Sequence, residues 1–219
     1  MPTLTLVQKL AVWIIPVLLA ITLHEAAHAW VAYRCGDPTA KRLGRLSINP
    51  LRHIDLIGTL LVPIVIAVLT QFQYTFGWAK PVPINSSNFH KPRRDTALTA
   101  AAGPVSNLFM AFLWSIVLKI STLLHPETSV IALYLLLTAQ AGLLINLLLG
   151  YFNLFPIPPL DGSKVFASLL STRQAAQYQK LEPYGFFIVI ALVATNVIFW
   201  ILNPLLSWSL HFIYIIFNL

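Results

Sequence analysis

Charge is the first thing this chain lacks. Asp, Glu, Lys and Arg make up 10% of its 219 residues, where an ordinary soluble domain carries about 25%. Hydrophobic residues make up 58%. A water-soluble globular class is excluded, and a multi-pass membrane protein is what remains. Acids are the scarcer sign, with seven Asp and Glu against fourteen Lys and Arg. The basic residues cluster in loops, as in the cytoplasmic loops of membrane proteins, and are no sign of nucleic-acid binding. A single cysteine, Cys35, rules out an intrachain disulfide. Internal repeats, low-complexity tracts and linkers are absent, so residues 1–219 read as one integral-membrane domain. The apolar N-terminal run has no small-residue cleavage site and continues into a polar motif, which argues against a cleavable signal peptide.

What is present is a succession of apolar segments. Residues from Leu6 to Arg34 read as one long helix, apolar up to Leu23. A basic loop follows with Lys41, Arg42, Arg45 and Arg52, and its stretch KRLGRLSIN alternates well enough to predict a short strand. Residues 56–72 are apolar but short for a crossing and contain Gly58 and Pro63. A second basic loop, to Asp95, holds Pro81 and Pro83 too close together for a helix interior and suits an extended segment. Residues 97–124 and 130–152 are further spans. The last apolar region, from Tyr184, is predicted to split at Asn203-Pro204, leaving a final piece too short to cross. The fold expected is an all-α polytopic membrane protein with about four full transmembrane helices, a re-entrant or short segment at 56–72, and short extended or β segments in the loops.

Charge and parity both bear on 56–72. The loops on either side are basic, so the positive-inside tendency places both in the cytoplasm, which a single crossing forbids. If Asp161 is to meet the histidines of the first helix, two crossings and not three must separate them.

The run AITLHEAAHAW, residues 20–30, places three ionisable groups inside an apolar helix. Such groups are costly in a membrane and point to function. His24 and His28 are four residues apart and stack on one helix face. Two imidazoles so placed can ligate one zinc ion. Glu25 can take a proton from a water molecule there and return it to the leaving amine. H-E-x-x-H on a helix is the zinc-peptidase pattern. The plainer reading is a polar cluster that bonds neighbouring helices.

A catalytic zinc needs a third protein ligand. An extended motif with a further histidine is absent, since positions 31 and 34 are Val and Arg. Of the other acids, Asp37, Asp55 and Asp95 flank the basic loops, and Glu127 and Glu182 sit in connectors. Asp161 follows Pro156, Pro158 and Pro159 and precedes Gly162, a setting that can hold one carboxylate still. Spacing alone leaves Asp161 as a ligand or as the cap of the next helix.

Three motifs in order, HEAAH in the first span, AAGPVSN opening a later one and FNLFPIPPLDG after the next, resemble the site-2 protease family of intramembrane zinc metalloproteases. GRLSINPLRHIDLIGTLLVP and FGWAKPVPIN are similar to a compact prokaryotic branch of it, without PDZ-like or CBS-like domains. The resemblance covers roughly residues 15–165. It implies His24, His28 and Asp161 as ligands of one zinc ion per chain and Glu25 as general base. It places Asn153 against the substrate backbone and implies cleavage of transmembrane segments of other membrane proteins. The expected location is a prokaryotic plasma membrane with the site toward the cytoplasm. The expected partners are a transmembrane protein substrate and the lipid bilayer.

Several groups stand beside this set. Ser106, Asn107, Gln140 and Asn146 are by default helix–helix hydrogen-bond formers, with Asn107 and then Asn146 the candidates to support the site. His53, with Asp55 two residues on, reads as loop structure or as a support for a developing oxyanion. His90, His125 and His211 have no ligand partner at useful spacing. Two rivals come from other classes. A zinc-containing transporter would need pseudo-repeated halves or a charged pathway, and neither is present. A catalytically inactive relative that binds or chaperones membrane proteins would not need His24, Glu25, His28 and Asp161 intact.

Overall fold

The computed structural model describes residues 4–62, 65 and 80–219. Its principal helices are α1 (Leu6–Arg34), α2 (Pro92–Leu123), α3 (Val130–Asn153), α4 (Asp161–Leu169), α5 (Thr172–Gln179), α6 (Glu182–Ala194) and α7 (Val197–Phe217). Helices α1, α2, α3 and α7 are long and apolar enough to cross a membrane. The 13 residues of α6 reach about 20 Å, short of the ~30 Å hydrocarbon layer. The chain is therefore an all-α, multi-pass membrane protein.

Helix boundaries follow local chemistry. The Thr5 hydroxyl accepts the Gln8 N–H, and the Gln8 side chain accepts the Thr5 N–H, a reciprocal cap that starts α1. The Ser129 hydroxyl caps α3 by accepting from Ala132. Pro92 in the first turn of α2 sacrifices no intrahelical bond. This helix begins five residues before the predicted start at 97, so Asp95 lies in its first turn. There Asp95 is buried and accepts from the Lys91 N–H and the Arg94 side chain.

Two sequence expectations fail. The last apolar region breaks at Thr195–Asn196, not at Asn203-Pro204. Asn196 adopts φ +58° and ends α6, a backbone state Asn tolerates better than most residues. Pro204 lies inside a continuous α7, because a membrane helix within a bundle absorbs one lost backbone bond. The short strand predicted in KRLGRLSIN is also not formed. Thr39–Arg42 is a helical turn, Gly44 takes φ +66°, and there is no strand among the described residues.

Helices α1, α2 and α3 pack closely because their contact faces are small. Ala20 on α1, Ala111 on α2 and Ala139 on α3 are essentially fully buried. Close backbone approach supplies the dispersion contact that drives helix association in lipid. Larger side chains fill the far half, where Trp114, Leu118, Leu143, Leu147 and Ile213 form one cluster.

The basic end is tied down by polar contacts. Buried Asp37 accepts from the Thr39 N–H and hydroxyl, the Asn85 N–H and the Asn88 side chain. Burial raises its carboxyl, but these donors outweigh it and hold Asp37 below the ordinary carboxylate range. The Lys80 N–H donates to His53 O at 3.0 Å. Arg45 donates to Lys80 O at 2.7 Å. The chain thus departs at His53 and comes back beside it at Lys80, so the two basic loops share one end of the bundle. Of the predicted re-entrant segment 56–72, Leu56–Leu61 forms a π-helical turn, while residues 63, 64 and 66–72 lie outside the described residues.

This shared end has a direct test. In a Cys35-replaced protein, single cysteines at Ser47 and Ser87 are expected to react with an impermeant thiol reagent from the same membrane side. Labelling from opposite sides would contradict the arrangement.

Candidate metal centre

Three potential ligand atoms converge at the basic end. His24 Nε2 and His28 Nε2 are 3.0 Å apart, and each lies 3.1 Å from Asp161 Oδ2. Among the described residues this is the group of His, Cys, Asp and Glu side chains that could hold a metal ion. The two histidines are buried, and the Asp161 side chain is 13% exposed. The arrangement comes from three elements. The four-residue spacing on α1 stacks the imidazoles, the first residue of α4 brings the carboxylate, and α2 closes the back.

The back wall determines which imidazole nitrogen is available. His28 Nδ1 is 2.7 Å from Thr99 O, and a carbonyl can only accept, so Nδ1 carries the proton. His24 Nδ1 donates to Asn107 Oδ1 at 2.6 Å. The amide orientation of Asn107 is fixed independently, since its Nδ2 donates to Ala20 O and to Asn146 Oδ1. Asn146 donates in turn to Gly142 O. Both imidazoles therefore present Nε2 lone pairs toward Asp161, the second-layer pattern of metal-binding histidines. Two lone pairs and a carboxylate oxygen at this range repel unless a cation lies among them. Donors at tetrahedral positions on zinc stand about 3.3 Å apart, close to the spacing found, so the donor set and its geometry fit a zinc ion.

Gly103 shows that this space is kept clear. A Cβ at that position would lie 2.4 Å from His28 Nε2 and 2.6 Å from His24 Nε2. Gly162, next to Asp161, acts through its missing side chain and not through its backbone angle. Its φ is not positive, but a Cβ would lie 2.1 Å from Leu154 O. The turn after α3 can thus press against α4 and seat Asp161. Arg93 fastens the other end of α4 by donating to Ser168 O and Leu170 O.

The remaining predicted residues separate into two groups. Glu25 stands beside the cluster on α1, and its Oε2 accepts the Val82 N–H at 2.8 Å. Asn107 is part of the site through His24, and Asn146 through Asn107. Asn153 ends α3 and donates to Leu149 O of its own helix. His53 is buried, donates Nε2–H to Ser47 O at 2.7 Å and is outside the metal-binding group. Sequence reasoning missed the Thr99 carbonyl and the role of Gly103. The GPVSN run around Asn107 was the signal for Gly103, and Thr99 had none.

Fold and site together define a multi-pass membrane protein with a candidate metal centre among its helices. The family description "Peptidase family M50" matches residues 12–195. The chain is 37% identical over 202 residues to "Putative zinc metalloprotease YwhC" of Bacillus subtilis (strain 168), covering 89% of this chain and 85% of that protein. It is 27% identical over 178 residues to "Putative zinc metalloprotease Rip2" of Mycolicibacterium smegmatis (strain ATCC 700084 / mc(2)155), covering 81% of this chain and 64% of that protein. To Rip2 of Mycobacterium tuberculosis (strain ATCC 25618 / H37Rv) it is 29% identical over 216 residues, 97% of this chain and 74% of that protein. No solved structure matches. The chain belongs to peptidase family M50, the site-2 protease family, and as a member it is a zinc metallopeptidase.

Gly103→Ala is expected to strip most of the bound metal while leaving a folded helical protein, measured as zinc per chain beside circular dichroism. Wild-type zinc content in a folded Gly103→Ala protein would show that the space at Gly103 is not needed by the ion.

Proposed function

We propose that this protein hydrolyses peptide bonds within or beside the transmembrane segments of other membrane proteins, using one zinc ion per chain. His24, His28 and Asp161 are the ligands, and Glu25 is the general base. The observation that carries the reading is the convergence of two Nε2 atoms and Asp161 Oδ2, with both Nδ1 protons engaged behind them. Zinc in that set supplies a Lewis acid and makes water nucleophilic near neutral pH.

The chain's own residues divide the remaining work. Asn107 and Thr99 hold the imidazoles in one tautomer and orientation. Glu25, on the same helix as both histidines, accepts the proton of the attacking water and returns it to the leaving amine. The Val82 N–H orients the Glu25 carboxylate through Oε2.

A transmembrane substrate hides its carbonyls in helical hydrogen bonds and sits where water is absent. It must be unwound and held extended. The segment Lys80–Asn85 is non-helical and borders Glu25, so an unwound substrate can lie along it by main-chain pairing. Pro81 and Pro83 have no N–H, so their part of this pairing consists of carbonyl acceptors. The positive-inside tendency of the basic loops supports a site that faces the cytoplasm of a cell membrane.

Purified protein reconstituted with a single-span model substrate separates the roles. Glu25→Gln is expected to keep wild-type zinc and to lose cleavage by about 100-fold or more. Asp161→Ala is expected to lose both. Cleavage near wild type in Glu25→Gln would remove it as the base, full zinc in a folded Asp161→Ala would remove that ligand, and zinc-loaded wild type without turnover would favour an inactive membrane-protein binder.

Replacing residues 81–84 by a Gly/Ser stretch is expected to leave zinc content unchanged and to cut cleavage of the helical substrate strongly. Unchanged cleavage would exclude this segment as the substrate's rest.

A further inference from the structure

A second polar site lies outside the metal centre. Arg42, Arg45, Arg52 and Lys80 line a cleft of about 630 Å³ at the basic end, together with Leu43 and Leu51. No acidic side chain lines it among the described residues. Four cations around one cavity repel one another until an anion enters.

The cleft is built in a definite form. Arg45 is fixed by donating to Lys80 O, and its Nε is buried without a hydrogen-bond partner. Arg52 is fixed by donating to Gly44 O. Gly44 permits this approach, since a Cβ there would lie 2.8 Å from Arg52 Nη1 and the residue has φ +66°. A solvated basic face would need none of these restraints.

The apolar surroundings identify the source of the anion. Leu43 is 62% exposed, and Ile48, Leu51 and Leu56 are each 76% exposed. Leu43 and Leu51 share the cleft wall with the arginines. Exposed aliphatic side chains beside guanidinium groups, at the end of a membrane-spanning bundle, match the boundary between headgroups and acyl chains.

We propose that this cleft binds the phosphate of an anionic phospholipid of the phosphatidylglycerol type, with Arg42, Arg45, Arg52 and Lys80 on the phosphate and Leu43 and Leu51 against the glycerol and upper acyl chains. Arginine forks suit phosphate oxygens, and Lys80 adds a point charge. The bound headgroup also braces the active site, because Arg45 holds Lys80 O and the Val82 N–H two residues on holds Glu25. Occupancy of the cleft does not depend on Glu25 being the base, so binding is the readout.

Full-length delipidated protein in detergent is titrated with short-chain phosphatidylglycerol, short-chain phosphatidylcholine and inorganic phosphate, and bound lipid is counted by native mass spectrometry. Wild type is expected to prefer phosphatidylglycerol to phosphatidylcholine by about tenfold or more. The Arg42→Gln/Arg52→Gln variant is expected to lose about 25-fold in phosphatidylglycerol affinity, roughly fivefold per charge. Lys80→Gln, whose side chain has no structural bond among the described residues, is expected to lose about fivefold and serves if the double variant does not fold. Lys119→Gln, on α2 and bonded to Asn218 O, is expected to change nothing. Equal binding of the two lipids, an unaltered preference in the cleft variants, or the same loss in Lys119→Gln would overturn the site. Displacement of phosphatidylglycerol by millimolar inorganic phosphate would assign the cleft to soluble phosphate and overturn the lipid.

Discussion

Two imidazole nitrogens and one carboxylate oxygen, each within 3.1 Å of the others, form the constraint on which the rest of this bundle depends. Such a cluster is stable only around a positive centre, and it requires both histidines to be aimed from the same helix face. The four-residue spacing achieves the aim. Keeping the cluster open requires α2 to approach without a side chain, at Gly103. Keeping it supplied with a carboxylate requires α4 to begin at Asp161, against the turn that follows α3. The small-residue faces of α1, α2 and α3 therefore serve two ends at once. They let apolar helices associate in lipid, and they bring a backbone carbonyl and two asparagines close enough to orient the imidazoles.

The asparagines illustrate the cost of polarity in such a setting. Asn107 and Asn146 are fully buried, and an unpaired amide there would be strongly destabilising. Each is paired instead. Asn107 accepts from His24 and donates to Ala20 O and Asn146, and Asn146 donates to Gly142 O. The chain of bonds joins α1, α2 and α3 and ends on the imidazole. Removing any member leaves its neighbours unsatisfied, so the network resists rearrangement and keeps His24 in one tautomer.

Much of this was legible in the sequence, for identifiable reasons. HEAAH carries its chemistry in adjacent side chains, and its helical spacing needs no tertiary information. The four long apolar helices follow from hydropathy and length. Asp161 was different, because its 137-residue separation from His24 is bridged by folding that no local pattern encodes. Only the resemblance of its proline-rich setting to a known family favoured a ligand over a helix cap. Thr99 was not legible at all, since its contribution is a backbone carbonyl that any residue offers. The misplaced break in the last apolar region has a physical cause too. Pro204 is a strong helix breaker in water and a tolerated one in a packed membrane helix, while Asn196 ends α6 through a backbone angle that composition does not reveal. Gly44 misled in the same way, as one residue with positive φ inside an otherwise strand-like alternation.

The groups at the site differ in what holds them, and this separates the candidate metal ligands from Glu25. His24 and His28 are held from behind by α2, and Asp161 is seated by the Leu154 turn and by Arg93 at the far end of α4. Glu25, the proposed base, is held by a loop, through the Val82 N–H. That loop is secured at Lys80 by His53 and Arg45 and at Asn85 by Asp37. Among the described residues, the hydrogen bond that reaches the site from between these anchors is the one to Glu25. A chain laid along Lys80–Asn85 competes for that same N–H. Displacing it would free the Glu25 carboxylate without moving an imidazole or the Asp161 oxygen. The geometry therefore lets Glu25, as the proposed base, respond to a chain laid on this loop while the two imidazoles and the Asp161 carboxylate stay in place.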